Sequence, residues 1–266
     1  GFTSYYDDFL LRRAGLIDDA TYIGLLGKTI DQVQHTPGRR VQTVAQASFD
    51  AWIKYYRMDE NTPNATVSYY TKGALVALCL DLSLRQQGSA CLDDVMRTLW
   101  QRCQAGPMGE DDLRAVLHTM AGSSFEQHLT DWVHGTADLP LPTLLGQHGV
   151  HWHAEPAPLA ERLGLRVAEH NGIQIKHVLR HGAAEQAGLA AGDEWLGVQV
   201  GRGQQAACWR LNKLDELPLY LGSATDFMAL VARDQRLLWL PMTLGTGQAS
   251  IALAAQDSAR VDAWLN

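Results

Sequence analysis

The sequence predicts a multi-domain α+β protein, with a mainly helical bundle over residues 1–148 and a β-rich domain with a closing helix over residues 149–266. Two observations predict this division. Apolar residues recur at helical spacing in the first part, whereas short apolar segments alternate with glycine-rich turns after the proline-containing stretch 139–142. The composition agrees, because 46% hydrophobic and 19% charged residues are typical of a globular chain rather than a disordered one.

The helices of the first part are predicted from periodicity and from their first turns. Residues 1–6 are predicted to open a helix that runs through Ala14 to Gly15, and residues 71–85 are apolar on most faces, as in a buried helix. Leu92–Cys103 and Glu110–Ala121 each begin with acidic residues, which favour the helix dipole, and then carry an apolar stripe. Gly122 is predicted to end the latter helix. Residues 57–64, with Pro63 and two asparagines, are predicted to form a surface loop. A further helix is predicted from the capping-box spacing of Ser123 and Glu126.

The second part is predicted to form strands joined by glycine turns. Each strand is a short run of apolar, β-branched or aromatic residues, and these runs are 173–178, 195–200, 227–232 and 237–244. A short helix fits residues 183–187, and residues 257–265 form a closing helix.

Charge and cysteine content exclude several classes of function. The net charge is −7, which argues against a nucleic acid or an anionic membrane held by bulk charge. The four cysteines form no close CxxC pair, so neither a zinc knuckle nor a disulfide framework is indicated, and a cytoplasmic location is favoured. The longest apolar stretch, residues 74–84, contains Asp81 and is too short to span a bilayer.

Residues 182–196, GAAEQAGLAAGDEWL, resemble the helix–turn–strand segment of bacterial PDZ domains. Its alanines let a short helix pack closely on a sheet, and its glycines suit tight turns. The resemblance places Leu163, Gly164 and Leu165 in the carboxylate-binding loop, where backbone amides hold a peptide C-terminus and residues 165–168 offer an edge for strand addition. The alternative is that this domain is a packing module whose groove is unused.

Two segments of the first part resemble zinc aminopeptidases of the gluzincin group. Residues 1–6, GFTSYY, are similar to the segment that follows the third zinc ligand, and residues 68–74, SYYTKGA, resemble the Tyr-x-Lys-Gly-Ala element. The resemblance implies that Tyr70 points its hydroxyl at the scissile carbonyl, where a neutral donor stabilises the oxyanion of the transition state. The alternative is that Tyr69 and Tyr70 are ordinary packing aromatics at the start of a helix.

Two further motifs lie between these segments, TPGRR at residues 36–40 and SFDAW at residues 48–52. The order of all these motifs resembles the C-terminal portion of the glycyl aminopeptidase family, zinc metallopeptidases of thermolysin-like fold with an appended PDZ domain. The resemblance covers nearly the whole chain. It implies removal of N-terminal residues from peptides, with Gly or Ala preferred. The His-Glu-x-x-His helix would lie upstream, and the third ligand, a glutamate, would immediately precede Gly1. Zn²⁺ is therefore expected in the full-length protein, while this chain alone is expected to hold none and to be inactive.

Weaker metal-related hypotheses concern other residues. Asp7 or Asp8 could accept a hydrogen bond from a zinc-ligand histidine, but a solvated acidic first turn that favours the helix dipole is the preferred explanation. His151 and His153 are the close histidine pair of the sequence, but they lack an obvious third ligand and are interpreted as surface residues.

Three functional hypotheses follow. The first is an enzyme part that acts on a peptide substrate together with the upstream catalytic region of the same protein. The second is a non-catalytic module that binds peptide C-termini in its PDZ groove. The third is a PDZ domain that packs on the bundle and shapes substrate access. None of them includes a nucleic-acid or membrane partner.

Overall fold

The structure, a computed structural model, describes residues 1–88, 90–104, 106–121 and 125–266. The predicted helix end at Gly122 and the predicted cap at Ser123 lie outside the described residues. The α-helices, in chain order, are α1 (Phe2–Arg13), α2 (Asp19–Gln34), α3 (Val44–Phe49), α4 (Thr62–Ala65), α5 (Thr71–Gln87), α6 (Leu92–Cys103), α7 (Glu110–Ala121), α8 (Glu126–Leu129), α9 (Leu141–Gln147), α10 (Leu159–Leu163), α11 (Ala183–Gln186), α12 (Leu217–Leu221) and α13 (Ser258–Leu265).

The strands are β1 (Val150–Glu155), β2 (Leu165–Ala168), β3 (Ile173–Val178), β4 (Glu194–Val200), β5 (Ala207–Arg210), β6 (Asp226–Arg233), β7 (Arg236–Thr243) and β8 (Ser250–Ala255). Helical residues dominate the first part of the chain and strands the second, so the predicted α+β class is confirmed. No helix among the described residues has the length and apolar character needed to cross a membrane.

The chain divides into two compact units, and neither of them is continuous in sequence. The first unit comprises Gly1–Tyr56, Thr66–Ala154 and Ile251–Asn266, and the second comprises Arg57–Ala65 and Glu155–Ser250. The units therefore alternate along the chain, and the domain division predicted at residues 148/149 stays a prediction.

Helix α5 runs through the core of the first unit. Every residue from Lys72 to Leu84 is buried, which explains why its sequence is apolar on most faces. It packs against α1, α2, α6 and α9. The predicted bounds of α6 and α7 agree with the structure. The helix predicted after residue 125 is α8, which continues as a π-helical turn over Thr130–His134.

The C-terminal helix α13 belongs to the core of the first unit, although it lies at the end of the β-rich part of the sequence. Val261, Trp264 and Leu265 are buried with the residues of the helical bundle. The ring of Trp264 lies 5.9 Å from the ring of Tyr22 on α2. Strands β1 and β8 pair in a separate two-stranded sheet.

The second unit is built on an antiparallel sheet in the order β2-β3-β4-β6-β7, with β5 paired to β4. The four predicted strands correspond to β3, β4, β6 and β7. Strand β2 pairs with β3 in a register that places Leu165 opposite Val178. The core includes Trp195, whose ring stacks on Phe227 at 6.3 Å.

The segment Arg57–Ala65, whose first eight residues were predicted to be a loop, contains helix α4 and belongs to the second unit. Asn64 is buried there. Its amide Nδ2 donates to the carbonyl of Val178 at 2.8 Å, and its Oδ1 accepts from the amide of Arg180 at 2.8 Å. A buried side-chain amide is costly without such partners, so these bonds account for the position of the segment.

Candidate functional site

Tyr70 lies at the start of α5 and is 38% exposed. The preceding Ser68 organises the first turn, since its hydroxyl accepts from the amide of Thr71 at 3.3 Å and its carbonyl accepts from the amide of Lys72 at 3.0 Å. A serine hydroxyl that accepts from a helix N-terminal amide is a favourable cap. Tyr70 therefore stands at a rigid helix start with its ring at the surface.

Three tyrosine hydroxyls, those of Tyr56, Tyr69 and Tyr70, meet at this helix start and are called the tyrosine trio here. The hydroxyl of Tyr56 lies 2.6 Å from that of Tyr70 and 3.2 Å from that of Tyr69. The rings of Tyr69 and Tyr70 are 4.2 Å apart. Sequence reasoning identified Tyr69 and Tyr70 but missed Tyr56, which lies 14 residues before Tyr70 and carries no local signal of its own.

The hydrogen bonds of the trio affect the acidity of its members in opposite directions. The pKa of Tyr70 is lowered, chiefly by its hydrogen bond with the hydroxyl of Tyr56. The pKa of Tyr69 is raised, chiefly by its own hydrogen bond with the hydroxyl of Tyr56. Tyr70 is thus the stronger acid of these two phenols and the better hydrogen-bond donor to an external oxygen.

The N-terminus of α1 lies against the first turn of α5. A methyl group at Gly73 would sit 2.9 Å from the Cα of Gly1, and one at Gly1 would sit 3.1 Å from the carbonyl carbon of Gly73. A side chain at position 73 would force the two segments apart, and one at position 1 would be tightly crowded. The two motifs at residues 1–6 and 68–74 are therefore neighbours in space, because Gly1 contacts Gly73, which lies one turn after Tyr70.

A buried carboxylate holds the same two helices together. Asp81 on α5 is 1% exposed and accepts from the hydroxyl of Tyr5 at 2.9 Å, the amide of Leu92 at 2.7 Å and Nε of Arg85 at 3.0 Å. Burial, together with the charge of Asp81, raises the pKa of Tyr5 well above its usual value. Tyr5 is therefore a structural residue that aligns α1 with α5.

Lys72, the lysine of the second motif, is buried below the site. Its Nζ donates to the carbonyl of Arg39 at 3.3 Å, and burial lowers the pKa of the lysine. Arg39 in turn donates from Nε to Asp138 at 3.0 Å and from Nη2 to Gln34 at 3.0 Å. These partners give Lys72, in the first turn of α5, a supporting role inside the first unit rather than an exposed position beside Tyr70.

The remaining acidic and histidine candidates lie elsewhere on the first unit. Asp7 is exposed and Asp8 half-buried on α1, and their suggested role toward a zinc ligand stays a prediction. His151 and His153 are both exposed on β1 with their rings 4.1 Å apart. Within the residues that the structure describes, no group of three or more His, Cys, Asp or Glu side chains is placed to hold a metal ion.

The predicted carboxylate-binding loop lies in the second unit. Leu163 and Leu165 are fully buried, and Gly164 is the left-handed C-cap of α10 with φ 71°. The amide of Gly164 donates to the carbonyls of Ala160 and Glu161, at 2.8 and 3.1 Å. That amide is therefore engaged by the helix end, and the role predicted for this loop in binding a peptide stays a prediction.

Comparison with known proteins relates the chain to peptidases. Residues 1–76 match the family model of the M61 glycyl aminopeptidases, so the resemblance inferred from the motifs is confirmed over a segment that contains Gly1 and Tyr70. The crystal structure of an aminopeptidase N family protein from Idiomarina loihiensis is similar over the whole chain, with a TM-score of 0.89 and 29% sequence identity. This chain covers 48% of that protein, about half its length. No match is found among the curated proteins.

Proposed function

We propose that this chain, whose first 76 residues match the M61 glycyl aminopeptidase family, is the C-terminal part of a metallo-aminopeptidase. The observation that carries the proposal is the joint placement of the two matched motifs. The family match includes both the start of α1 and Tyr70, and Gly1 packs against Gly73 in the first turn of α5. Two motifs whose glycines lie 72 positions apart in the sequence are thus neighbours in space, which supports a shared role.

In the proposed reaction, the hydroxyl of Tyr70 donates a hydrogen bond to the oxygen of the scissile carbonyl. The negative charge on that oxygen grows as the tetrahedral intermediate forms, so a fixed donor stabilises the transition state more than the ground state. Three features of Tyr70 support this role: a helix start held by Ser68, a surface-exposed ring and a hydroxyl that lies 2.6 Å from the hydroxyl of Tyr56.

Zinc is the proposed cofactor of the full-length protein, in which it would polarise the carbonyl and activate water. Its ligands are proposed to include a glutamate immediately before Gly1 and a His-Glu-x-x-His helix upstream. Among the described residues there is no group that fits this ion. The proposed contribution of this chain is the oxyanion donor and its supports, and the chain alone is proposed to be inactive.

The preferred substrates are proposed to be peptides with N-terminal Gly or Ala, and a cytoplasmic location stays a prediction.

The second unit is proposed to be a PDZ domain. Its support is the antiparallel sheet with β2 paired to β3 on one side, and the segment 182–196, which forms α11, a turn and the start of β4. A peptide strand could add to the outer edge of β2.

The proposed role of Tyr70 is tested by Tyr70→Phe in the full-length protein. Turnover of a Gly-terminated peptide substrate is expected to fall by roughly two to three orders of magnitude, because the oxyanion loses a fixed donor. Tyr55→Phe is the matched control. The hydroxyl of Tyr55 lies near that of Ser68 at 3.5 Å and is not bonded to Tyr70. Unchanged turnover in Tyr70→Phe would contradict the assignment.

The second candidate function is a non-catalytic module that binds peptide C-termini, and the edge strand β2 favours it. Titration of the chain with peptides that differ only in a free or an amidated C-terminus separates the two candidates. Carboxylate capture predicts tighter binding of the free acid. Equal binding of the two forms would remove this candidate.

A further inference from the structure

The hydroxyl of Tyr56 lies between two others. It is 2.6 Å from the hydroxyl of Tyr70, a short O–H···O distance, and 3.2 Å from that of Tyr69, a longer one. Either oxygen of each pair could be the donor. The direction of the two hydrogen bonds depends on where the single hydrogen of each hydroxyl points.

A tyrosine hydroxyl has one hydrogen and two acceptor lone pairs. Tyr70 therefore cannot donate to Tyr56 and to a substrate oxygen at the same time. If Tyr70 donates to the substrate, the hydrogen of the 2.6 Å bond must come from Tyr56. Tyr56 then has no hydrogen left for Tyr69, so Tyr69 must donate to Tyr56.

We propose that Tyr56 is a positioning residue for Tyr70: it donates to the oxygen of Tyr70 and accepts from Tyr69, which leaves the hydrogen of Tyr70 for the substrate. This inference rests on the proposed function of Tyr70 as oxyanion donor. Each hydrogen bond in such a chain polarises the next, so the O–H of Tyr70 becomes a stronger donor than an isolated phenol.

The acidities of the trio agree with this direction. A hydroxyl that accepts hydrogen bonds becomes more acidic, and one that donates becomes less acidic. The pKa of Tyr70 is lowered chiefly by its hydrogen bond with Tyr56, and that of Tyr69 is raised chiefly by its hydrogen bond with the same hydroxyl. Among the described residues, these two tyrosines are the titratable groups that act on Tyr70.

Tyr56 is held in place by its neighbours rather than by burial of its own ring. Its ring packs on Trp52 at 5.1 Å and edge-on against Tyr55 at 5.3 Å, and its amide donates to the carbonyl of the buried Ala51 at 3.0 Å. The side chain is 50% exposed. Tyr56→Phe therefore keeps these ring contacts, removes only the hydroxyl and is expected to fold.

The first experiment measures the acidity of Tyr70 in this chain, without any metal or substrate. The phenolate absorbance of Tyr70→Phe is subtracted from that of the wild type over a pH titration, and the same subtraction is made in a Tyr56→Phe background. The pKa of Tyr70 is expected to be higher without Tyr56, because its phenolate loses a donor. The Tyr55→Phe background is the control and is expected to leave the pKa of Tyr70 unchanged.

The second experiment measures turnover in the full-length protein. Tyr56→Phe is expected to lower kcat about ten-fold with little change in KM, since one hydrogen bond to the transition-state donor is lost. Tyr69→Phe is expected to lower kcat less, because it removes the outer bond of the chain. Tyr55→Phe is expected to keep the wild-type kcat.

The outcomes separate this inference from the proposed function. If Tyr70→Phe loses activity while Tyr56→Phe changes neither kcat nor the pKa of Tyr70, the positioning role of Tyr56 is wrong and the role of Tyr70 stands. If Tyr70→Phe keeps full activity, the proposed function fails, whatever Tyr56→Phe does. A raised pKa of Tyr70 together with a lowered kcat in Tyr56→Phe supports both.

Discussion

Gly38 lies directly against the backbone of Thr66. A methyl group at Gly38 would clash with the carbonyl oxygen of Thr66 and lie 2.5 Å from its amide nitrogen. Both atoms belong to the backbone of the stretch that leads to the tyrosine trio, so neither can rotate away. The glycine of the motif at residues 36–40 therefore has a steric role in supporting the site.

Gly38→Ala is expected to destabilise the chain by about 3 kcal/mol, because the added methyl group overpacks a backbone contact. Gly24→Ala is the matched control, since Gly24 is exposed on α2 with no atom within 4 Å of the added methyl. It is expected to stabilise by up to about 1 kcal/mol through helix propensity. The measurement is the free energy of unfolding in guanidinium chloride. Equal effects of the two substitutions would contradict the steric argument.

At the scale of the element, helix α6 shows how one carboxylate sets a helix start. Asp94 accepts from the backbone amide of Cys91 at 3.0 Å, as in a capping box, and also lies 3.3 Å from the Sγ of Cys91. These bonds, the backbone one first, lower the pKa of Asp94 below its usual value of 3.8. Because the pKa of Asp94 is lower in the folded protein than in the unfolded chain, the charged carboxylate stabilises the folded state at pH values above the pKa of the unfolded chain. This stabilisation is lost as the pH falls through the pKa of the folded state.

Asp94→Ala is expected to cost about 1 kcal/mol at neutral pH, and the cost should shrink as the pH falls below 3.8. Asp94→Asn retains an acceptor oxygen without a titrating group, so its smaller cost should vary less with pH. The measurement is the unfolding midpoint of the three proteins between pH 7 and pH 2.5. A cost of Asp94→Ala that stayed constant across this range would show that the charge of the cap is unimportant.

At the scale of the whole molecule, two hydrophobic cores divide the chain, and the C-terminal helix joins the earlier one. Trp264 is 1% exposed and contacts Tyr22 and His148, while the second core is made of residues between Leu163 and Met242. The end of the chain therefore stabilises the unit that contains Tyr70.

Trp264→Ala is expected to destabilise the first unit by about 3–5 kcal/mol, through lost burial and the cavity left behind. Trp100→Ala is the control, because Trp100 is 68% exposed on α6 and its loss should change stability by less than about 1 kcal/mol. Hydrogen exchange of α5 amides reports the first unit directly and should accelerate in Trp264→Ala alone. If the exchange of α5 were unaffected, α13 would not be part of its cooperative unit.

Much of the secondary structure follows from local sequence. The bounds of α6, α7 and β3 agree with prediction because apolar spacing and the residues at helix starts act over a few positions. The predicted loop at residues 57–64 differs, since a short helix and buried contacts of Asn64 depend on residues more than 100 positions away. The helix predicted after residue 125 continues to His134, but its π-helical geometry over Thr130–His134 was not predicted.

The sequence by itself determined the α+β class, most helix and strand positions, and the two motifs whose family match includes Tyr70. Only the tertiary structure decided that Tyr56 meets Tyr69 and Tyr70, that Gly1 packs on Gly73, and that α13 joins the first core. The physical reason is the range of the interactions. Periodicity and capping act between near neighbours in the chain, whereas hydroxyl contacts and core packing join side chains whose distance depends on how whole helices lie against each other.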